Sequence, residues 1–437
     1  MSATIEIDQL REGMFIHLDL GWWQHPFALS SFMVSTREQI ETLRGLGLKR
    51  VRWSPEMSRL HDATQPASGP AQEAAADGGD GAMAADAVAA DPARAQTAAL
   101  AAQHAELAAQ RAADLLCEKQ YAEAGHAWKQ MAEAVHGAPT KAREISEALT
   151  RSLLDKMMVD GDLCIRVLSD SHGDRASAHA LNVGVIALLM GRQVGLTDAE
   201  LHELGVGALL HDIGKLELAD RLRWSDPDFS QAEHAAYREH VAHGLVLGQR
   251  MGLNRATMQV LAQHHEMADG SGFPLRLHVD GMAVAARIVA LINRYDNLCN
   301  PLRQAYALTP HEALSLIFAQ AKNKFDASLL GSFIRMMGVY PPGSLVQLTD
   351  ERYATVVSVN SSRPLKPRVL VCDPKVEADD ALRLDLDTQP DLGIRRSVKA
   401  TQLPAAALSY LSPGPRVVYF FEPAAPTRRD PMEALAA

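Results

Sequence analysis

Three capping boxes in the middle of the chain mark where helices begin, and they constrain the fold more than any other feature. In each, a Ser or Thr is followed three residues later by Glu, at Thr197–Glu200, Ser230–Glu233 and Thr309–Glu312. The hydroxyl accepts a hydrogen bond from an unpaired backbone N–H of the first turn, and the carboxylate accepts one in return. Pro310 also suits a first helical position. Helical texture continues from about residue 156 to 338, which predicts an all-α domain.

The pattern of apolar and polar residues changes on both sides of this domain. Residues 1–60 alternate like strands around a single helix, which predicts a small α+β domain. Residues 61–97 are mostly Ala, Gly, Pro, Asp and Gln, and their few large apolar groups predict a flexible linker. Helical spacing in residues 98–150 indicates a stalk or lid, and residues 346–425 indicate a small β-rich segment. We therefore expect a mainly α protein with its helical bundle at residues 150–345.

Composition and charge exclude several classes of protein. The net charge of -10, from 43 Lys and Arg against 53 Asp and Glu, argues against binding to duplex nucleic acid. The longest apolar run, residues 181–191, is shorter than the roughly 18 residues that cross a bilayer, and the first residues lack a secretory signal. We expect no membrane span and a cytoplasmic location. The scattered cysteines predict neither a disulfide framework nor a zinc ribbon.

Several of the 17 histidines occur at predicted helix ends within the α domain. His211 and Asp212 end an apolar helix and are followed closely by Lys215. Imidazole and carboxylate groups are ligands for Zn, Fe or Mn, and a carboxylate can bridge two ions. Any one of these histidines alone would be explained as a core or capping residue. Their occurrence together favours a shared metal site, formed by His179, His211, Asp212, His240, His264 and His265.

The order of these motifs resembles the HD-GYP family of metal-dependent phosphodiesterases, a branch of the HD phosphohydrolases that hydrolyse cyclic di-GMP. The likeness rests on HDIGK, which starts at His211, and on HHE, which starts at His264 and is followed by GSGFP. It covers about residues 150–345. The opening LREGMFIHLDLGWWQHPFALSSFMV similarly resembles DUF3391, a domain of unknown function that often precedes this family. The resemblance implies an HD-type helical bundle that opens cyclic di-GMP to linear pGpG, and it leaves a further step to GMP open.

The resemblance also implies a cofactor, two divalent ions of Fe or Mn that share Asp212. In the family pattern, His179 and His211 complete one metal site, while the second is completed by His240, His264 and His265. Lys215 matches the catalytic lysine that reaches a substrate phosphate oxygen or the bridging hydroxide.

The GYP motif of the family is replaced here by Gly272, Phe273 and Pro274. This turn supports the site in the family and is implicated in contacts with GGDEF cyclases, which would be partners of this chain. Phe in place of Tyr keeps the ring and removes one hydroxyl. The resemblance leaves a homodimer open.

The segment after ARIVALI departs from the family pattern in its metal ligand. Asn293 occupies the position of a ligand aspartate, and an amide oxygen is a neutral and weaker ligand for a hard metal. Asp296 lies three residues further along the same helix face. It could replace the missing ligand, or it could make a structural hydrogen bond.

The substrate-binding arginines of the family are also displaced. They fall on Leu302 and Ala305, so that Arg303 between them is the candidate for binding substrate phosphate. Arg175 stands where some family members have a glutamate for a third metal, which favours a centre with two metals.

Three functions remain open at this point. The complete histidine set with Asp212 and Lys215 favours an active cyclic di-GMP phosphodiesterase. Asn293 and the displaced arginines favour a non-catalytic sensor of cyclic di-GMP or a scaffold for a GGDEF cyclase. The HD scaffold alone is also compatible with a phosphohydrolase of another nucleotide.

Overall fold

The computed structural model of the protein describes residues 3–18, 31–34, 36–58, 92–157, 162–168, 174–360 and 362–424. The described residues up to Arg111 belong to one compact unit, and those from Ala112 onward belong to a second. No helix among the described residues has the length and apolar character needed to cross a membrane.

The first unit contains a four-stranded antiparallel sheet and one helix. Along the sheet, the strand order is β1 (Ala3–Glu6), β4 (Arg50–Trp53), β2 (Phe15–His17) and β3 (Ser31–Met33), and helix α1 (Arg37–Gly45) connects β3 to β4. Ile16 in β2 and Val51 in β4 are buried, and so is Leu43 of the helix. Thr36 closes a capping box at the start of α1.

Two long helices follow, α2 (Pro92–Gly137) and α3 (Pro139–Met157). Helix α2 begins at Pro92 and therefore includes the last six residues, 92–97, of the segment predicted as a linker. Residues 92–97 read PARAQT, and Ala, Arg and Gln have high helix propensity, so these residues extend the helix. Residues 61–91, the rest of the predicted linker, lie outside the described residues.

Eight further helices form the bundle of the second unit, in agreement with the mainly α fold predicted from the sequence. They are α4 (Arg175–Gln193), α5 (Asp198–Leu210), α6 (Gln231–Arg238), α7 (His240–Met251), α8 (Arg255–Gln263), α9 (Val284–Cys299), α10 (Pro310–Gln320) and α11 (Ala327–Met337). The capping boxes predicted at Thr197, Ser230 and Thr309 are present. Helix α4 is buried along most of its length and packs against α5 and α9.

An antiparallel sheet completes the second unit. Its strands are β5 (Leu163–Val167), β6 (Leu345–Leu348), β7 (Tyr353–Asn360), β8 (Arg368–Val371), β9 (Arg383–Asp385), β10 (Ile394–Ser397) and β11 (Tyr419–Pro423), and helix α12 (Ala405–Leu411) follows β10. The main path runs β10-β6-β7-β5-β11, with β8 and β9 added beside β7.

Strand β5 differs from the sequence prediction, because it precedes the bundle and falls inside the segment predicted as all-α. Its sequence LCIRV is a short apolar run, which periodicity cannot distinguish from a buried helical turn. It becomes a strand by pairing with β7 and β11, both of which lie far away in the sequence. The predicted β appendage is therefore a sheet that includes a strand from before the helices.

Candidate metal centre

The junction after helix α5 places Asp212 at the centre of the candidate site. His211 caps the C-terminus of α5, and a 3-10 turn at Ile213–Glu217 follows Asp212 directly. Gly214 allows this turn to lie against α7, since a Cβ there would collide with the carbonyl oxygen of His240 and the amide of Gly244. The close approach brings His240, the first residue of α7, next to Asp212.

One group of ligand atoms lies on the Oδ2 side of Asp212. The side chains of His179, His211 and Asp212 offer three atoms that all lie within 4.8 Å of one another. The Nε2 atoms of His179 and His211 each lie 3.3 Å from Asp212 Oδ2. The same two nitrogens are 3.1 Å apart.

A second group lies on the Oδ1 side of the same carboxylate. Asp212, His240, His264 and His265 offer four atoms within 4.8 Å of one another. His240 Nε2 is 3.4 Å from Asp212 Oδ1, and His264 Nε2 is 3.6 Å from it. His265 Nε2 lies 3.1 Å from His240 Nε2. The structure thus brings together the five histidines and the aspartate that the sequence singles out.

Hydrogen bonds fix which ring nitrogen carries the proton in three of these histidines. The Nδ1 atoms of His211, His240 and His264 donate to the carbonyl oxygens of Ala208, Tyr237 and Leu261 at 2.7, 2.6 and 2.9 Å. A carbonyl can only accept, so in a neutral ring each Nε2 carries a lone pair. His240 Nε2 and His264 Nε2 are only 3.2 Å apart. Lone pairs in such proximity repel unless a cation lies among them, and this arrangement suits a metal.

The buried histidines are held in the neutral form that a metal requires. Burial lowers the pKa of His211 to about 4 and that of His240 to about 3, and it holds the pKa of His265 well below its usual value. His179 differs: burial lowers its pKa, but hydrogen bonds and charges from Asp212 and Asp296 outweigh burial and raise it to about 9.

Asp212 is ionised and incompletely hydrogen-bonded. Burial raises the pKa of its carboxyl, but Lys215 and the neighbouring imidazoles outweigh burial and hold this pKa well below its usual range. Within the described part of the chain, its buried Oδ1 atom accepts no hydrogen bond. A buried carboxylate oxygen without a donor is costly unless a cation coordinates it.

Lys215 is buried beside the same carboxylate. Its Nζ lies 2.5 Å from Asp212 Oδ2 and over the rings of Trp224 and Tyr237, at 4.9 and 5.4 Å from the ring centroids. Burial lowers the pKa of Lys215, but Asp212 and Tyr237 outweigh burial and raise it overall. The ammonium therefore stays charged next to both ligand groups.

Helix α9 contributes a carboxylate that the sequence analysis treated as a candidate ligand. Asp296 Oδ2 lies 2.6 Å from Nδ1 of His179, the ring nitrogen that faces away from Asp212. A carboxylate in this position fixes the tautomer and orientation of a metal-binding imidazole. Asn293 is also buried, and its Oδ1 accepts a hydrogen bond of 2.6 Å from Asn297.

The loop after α8 holds His265 in place through Glu266, for which the sequence predicted no role, and through the GYP-like turn at Gly272 and Phe273. Glu266 is buried and accepts hydrogen bonds from the backbone N–H groups of Leu275 and Leu277 at 2.6 and 2.9 Å. Phe273 stacks on His265, with ring centroids 4.5 Å apart. A Cβ at Gly272 would collide with the backbone of Glu266, which explains the glycine. The spacing of Glu266 directly after the two histidines was the available sequence signal.

Arg303, the predicted phosphate-binding residue, forms ion pairs with two acidic side chains. Its guanidinium lies 2.9 Å from Asp226 and 2.5 Å from Asp228. Arg175 donates to the carbonyl oxygens of Asn300 and Pro301 at 2.8 and 2.9 Å, and lies over Trp224 at 5.3 Å from the ring centroid. A substrate phosphate would have to compete with both carboxylates for Arg303.

Two domain families match the chain. Residues 2–145 match DUF3391, a domain of unknown function, and residues 162–329 match the HD domain. Strand β5 thus falls inside the HD-domain match, whereas strands β6 to β11 lie beyond its end.

Proteins named as phosphodiesterases of cyclic dinucleotides are similar to the chain. Cyclic di-GMP phosphodiesterase PA4108 of Pseudomonas aeruginosa is 27% identical over 377 residues, which cover 85% of each protein. Cyclic di-GMP phosphodiesterase PdeB of Borreliella burgdorferi is 24% identical over 44% of this chain and 50% of that protein. The 3'3'-cGAMP-specific phosphodiesterase 3 of Vibrio cholerae is 24% identical over 39% of this chain and 37% of that protein.

Proposed function

We propose that this chain, in which a DUF3391 domain precedes an HD domain, is a metal-dependent phosphodiesterase that hydrolyses cyclic di-GMP to pGpG and then to GMP. One observation carries the proposal: Asp212 presents one carboxylate oxygen to each of two groups of imidazoles. Three of those imidazoles use Nδ1 to donate to a backbone carbonyl, which leaves Nε2 as the atom that faces the site.

The donor set fits two divalent ions. His179 and His211 would hold one ion, His240, His264 and His265 would hold the other, and Asp212 would bridge them. Nitrogen-rich sites of this kind with a carboxylate suit Fe, Mn or Zn, and Fe or Mn is our proposal. When bound, such a pair supplies Lewis-acid polarisation of a phosphodiester and activation of a water.

Lys215 is proposed to bind the substrate. Its ammonium is held between Asp212 and two aromatic rings, so it stays charged and placed beside both ligand groups. A compact cation with three donors suits a non-bridging phosphate oxygen. As the substrate phosphate gains negative charge, Lys215 would stabilise that charge and keep Asp212 ionised.

The substrate class is proposed from the relatives, whose names specify cyclic di-GMP in two cases and 3'3'-cGAMP in the third. A second candidate function is favoured by the two carboxylates that occupy Arg303. With that guanidinium engaged, the protein could hold cyclic di-GMP without cleaving it, as a sensor or as a scaffold for a GGDEF cyclase.

The proposal is tested with protein purified without oxygen and reconstituted with Fe or Mn. We expect close to two metal ions per chain and conversion of cyclic di-GMP to pGpG and GMP, followed by chromatography. Faster turnover of 3'3'-cGAMP would move the substrate to the mixed dinucleotide. Two bound metals with cyclic di-GMP bound but intact would favour the sensor, and an absence of bound metal would exclude the proposed centre.

A further inference from the structure

The segment that leads into strand β11 is hydrogen-bonded to two asparagines of the helical bundle, of which Asn182 is buried and Asn300 is half-buried. Asn300, at the end of α9, accepts from the N–H of Val417 at 2.8 Å and donates to the carbonyl of Val417 at 2.8 Å. Asn182, on α4, donates to the same carbonyl at 2.9 Å and accepts from the N–H of Tyr419 at 2.8 Å. Residues 416–419 are thus fixed to α4 and α9 by four hydrogen bonds.

The same two amides also hold the carboxylate that orients His179. Asn182 and Asn300 donate to Asp296 Oδ1 at 2.7 and 2.9 Å. The other oxygen, Oδ2, lies 2.6 Å from His179 Nδ1. A continuous set of hydrogen bonds therefore runs from the backbone of Val417 to the imidazole beside Asp212.

We propose that residues 416–419 are part of the metal centre, in which they act through Asn182 and Asn300 to position Asp296 and thereby His179. This inference rests on the proposed metal site. Segment 416–419 lies about ninety residues beyond the end of the HD-domain match at residue 329, so it is not part of that match. Asn182, Asn300 and Asp296 are positioning residues, because they act through His179.

The two ligand groups differ in their dependence on this segment. His211, His240 and His264 are each oriented by a carbonyl oxygen three residues earlier in their own part of the chain. His179 instead relies on a carboxylate from another helix, which is held by side chains bonded to residues 417 and 419. Loss of the segment's hydrogen bonds should therefore lower the affinity for the ion on the His179 side. The affinity for the ion on the His240 side should not change.

Stepwise binding of cobalt(II) to the full-length, metal-free chain tests this asymmetry. The visible absorption of cobalt reports each ion as it binds, independently of any hydrolysis. For Asn300→Ala we expect the affinity of one of the two binding steps to fall by about 10-fold. This is the lower end of the range for removing a hydrogen-bond partner of a metal ligand, because Asn300 acts on His179 through Asp296. The other step should match the unchanged protein.

Asn254→Ala is the matched control. Asn254 also accepts a backbone hydrogen bond, from the N–H of Thr257 at 2.9 Å, and caps helix α8. We expect Asn254→Ala to lower the free energy of unfolding without changing the affinity of either cobalt-binding step. Equal weakening of both steps by Asn300→Ala, or no weakening of either, would contradict the proposal.

Asn300→Asp provides a second variant that keeps the side-chain shape if Asn300→Ala does not fold. It keeps the acceptor for the N–H of Val417, but it places a carboxylate oxygen against Asp296 and the carbonyl of Val417. We expect the same single step to weaken, with a changed cobalt spectrum, because His179 loses its fixed orientation. An unchanged spectrum and two unchanged steps would overturn the positioning role.

The result is separable from the proposed function. If the chain binds two cobalt ions but does not cleave cyclic di-GMP, the proposed hydrolysis is contradicted. The effect of Asn300→Ala on cobalt affinity can still be measured in that case, so the positioning role is still tested. If the chain hydrolyses cyclic di-GMP and Asn300→Ala does not change its cobalt affinity, the proposed function is supported. The proposed role of residues 416–419 is then excluded.

Discussion

Asp212 has the largest predicted effect of any single residue, because its two oxygens face different groups of imidazoles. Replacing a ligand that serves one ion should release one ion, whereas replacing a shared ligand should release both. Its burial and its unbonded Oδ1 set it apart from an ordinary ion-paired aspartate.

Asp212→Ala should therefore abolish binding of both metals and all hydrolysis of cyclic di-GMP, because neither imidazole group keeps an anionic ligand. Metal analysis after dialysis measures the first effect, and chromatography of the products measures the second. Asp220→Ala is the control, since Asp220 lies nearby in sequence but is exposed and paired with Arg223. Retained turnover in Asp212→Ala would place the reaction elsewhere.

Asn293→Asp should strengthen metal retention. The residue is buried on the same helix as Asp296, and a carboxylate there can still accept the hydrogen bond from Asn297. An anionic oxygen is also a better ligand for a hard cation than an amide oxygen. The measurement is the chelator concentration that removes half of the bound metal. An unchanged value would mean that the side chain at position 293 does not reach a metal.

At the scale of secondary-structure elements, a buried charged cluster joins helix α2 to the sheet. Arg166 of β5 is 2% exposed, and its guanidinium lies 2.7 Å from both Asp114 of α2 and Glu422 of β11. Arg383 pairs with Asp114 as well, and Arg368 lies 3.7 Å from Glu422. Arg166 is the most buried of these three arginines and lies against both acids, so its removal takes one contact from each carboxylate.

Arg166→Met should lower the free energy of unfolding by about 3 kcal/mol, since it removes the most buried cation of the cluster and one ion-pair partner of each carboxylate. Urea unfolding followed by circular dichroism measures the change. Arg395→Ala provides the comparison, because it breaks an exposed pair with Glu351 and should cost less than about 1 kcal/mol. If the two variants lose similar amounts of unfolding free energy, the buried ion pairs of Arg166 stabilise the fold no more than an exposed pair does.

At the scale of the whole molecule, the helical bundle and the second sheet are interleaved along the chain. Strand β5 precedes the bundle, but its partners β7 and β11 follow it. The backbone groups of β5 therefore obtain their hydrogen bonds only after the last residues of the sheet are in place. The predicted domain 150–345 therefore contains β5 without either of its partner strands.

A fragment of residues 150–345, the domain expected from the sequence, should fold poorly for this reason. It would leave the backbone of β5 unpaired and expose the apolar surface that the later strands cover. A fragment of residues 112–424 should unfold in a single cooperative transition on heating. Calorimetry of the two fragments makes the comparison, and equal stability would mean that the sheet is an accessory to the bundle.

Local features of the sequence predicted much of this arrangement. Capping boxes at Thr197, Ser230 and Thr309 specify helix starts through contacts within four residues, so a single sequence is sufficient to find them. The clustering of five histidines with Asp212 was also predictable, because adjacent motifs such as HD and HH restrict which groups can meet.

Other features depend on residues that are distant in sequence and meet only in the folded chain. LCIRV forms strand β5 because β7 and β11 supply its hydrogen bonds, and Asp296 orients His179 because α9 packs against α4. Asn300 contacts Val417 across more than a hundred residues. No local pattern encodes such pairings, since the free energy that selects them comes from burial and hydrogen bonding between separate elements.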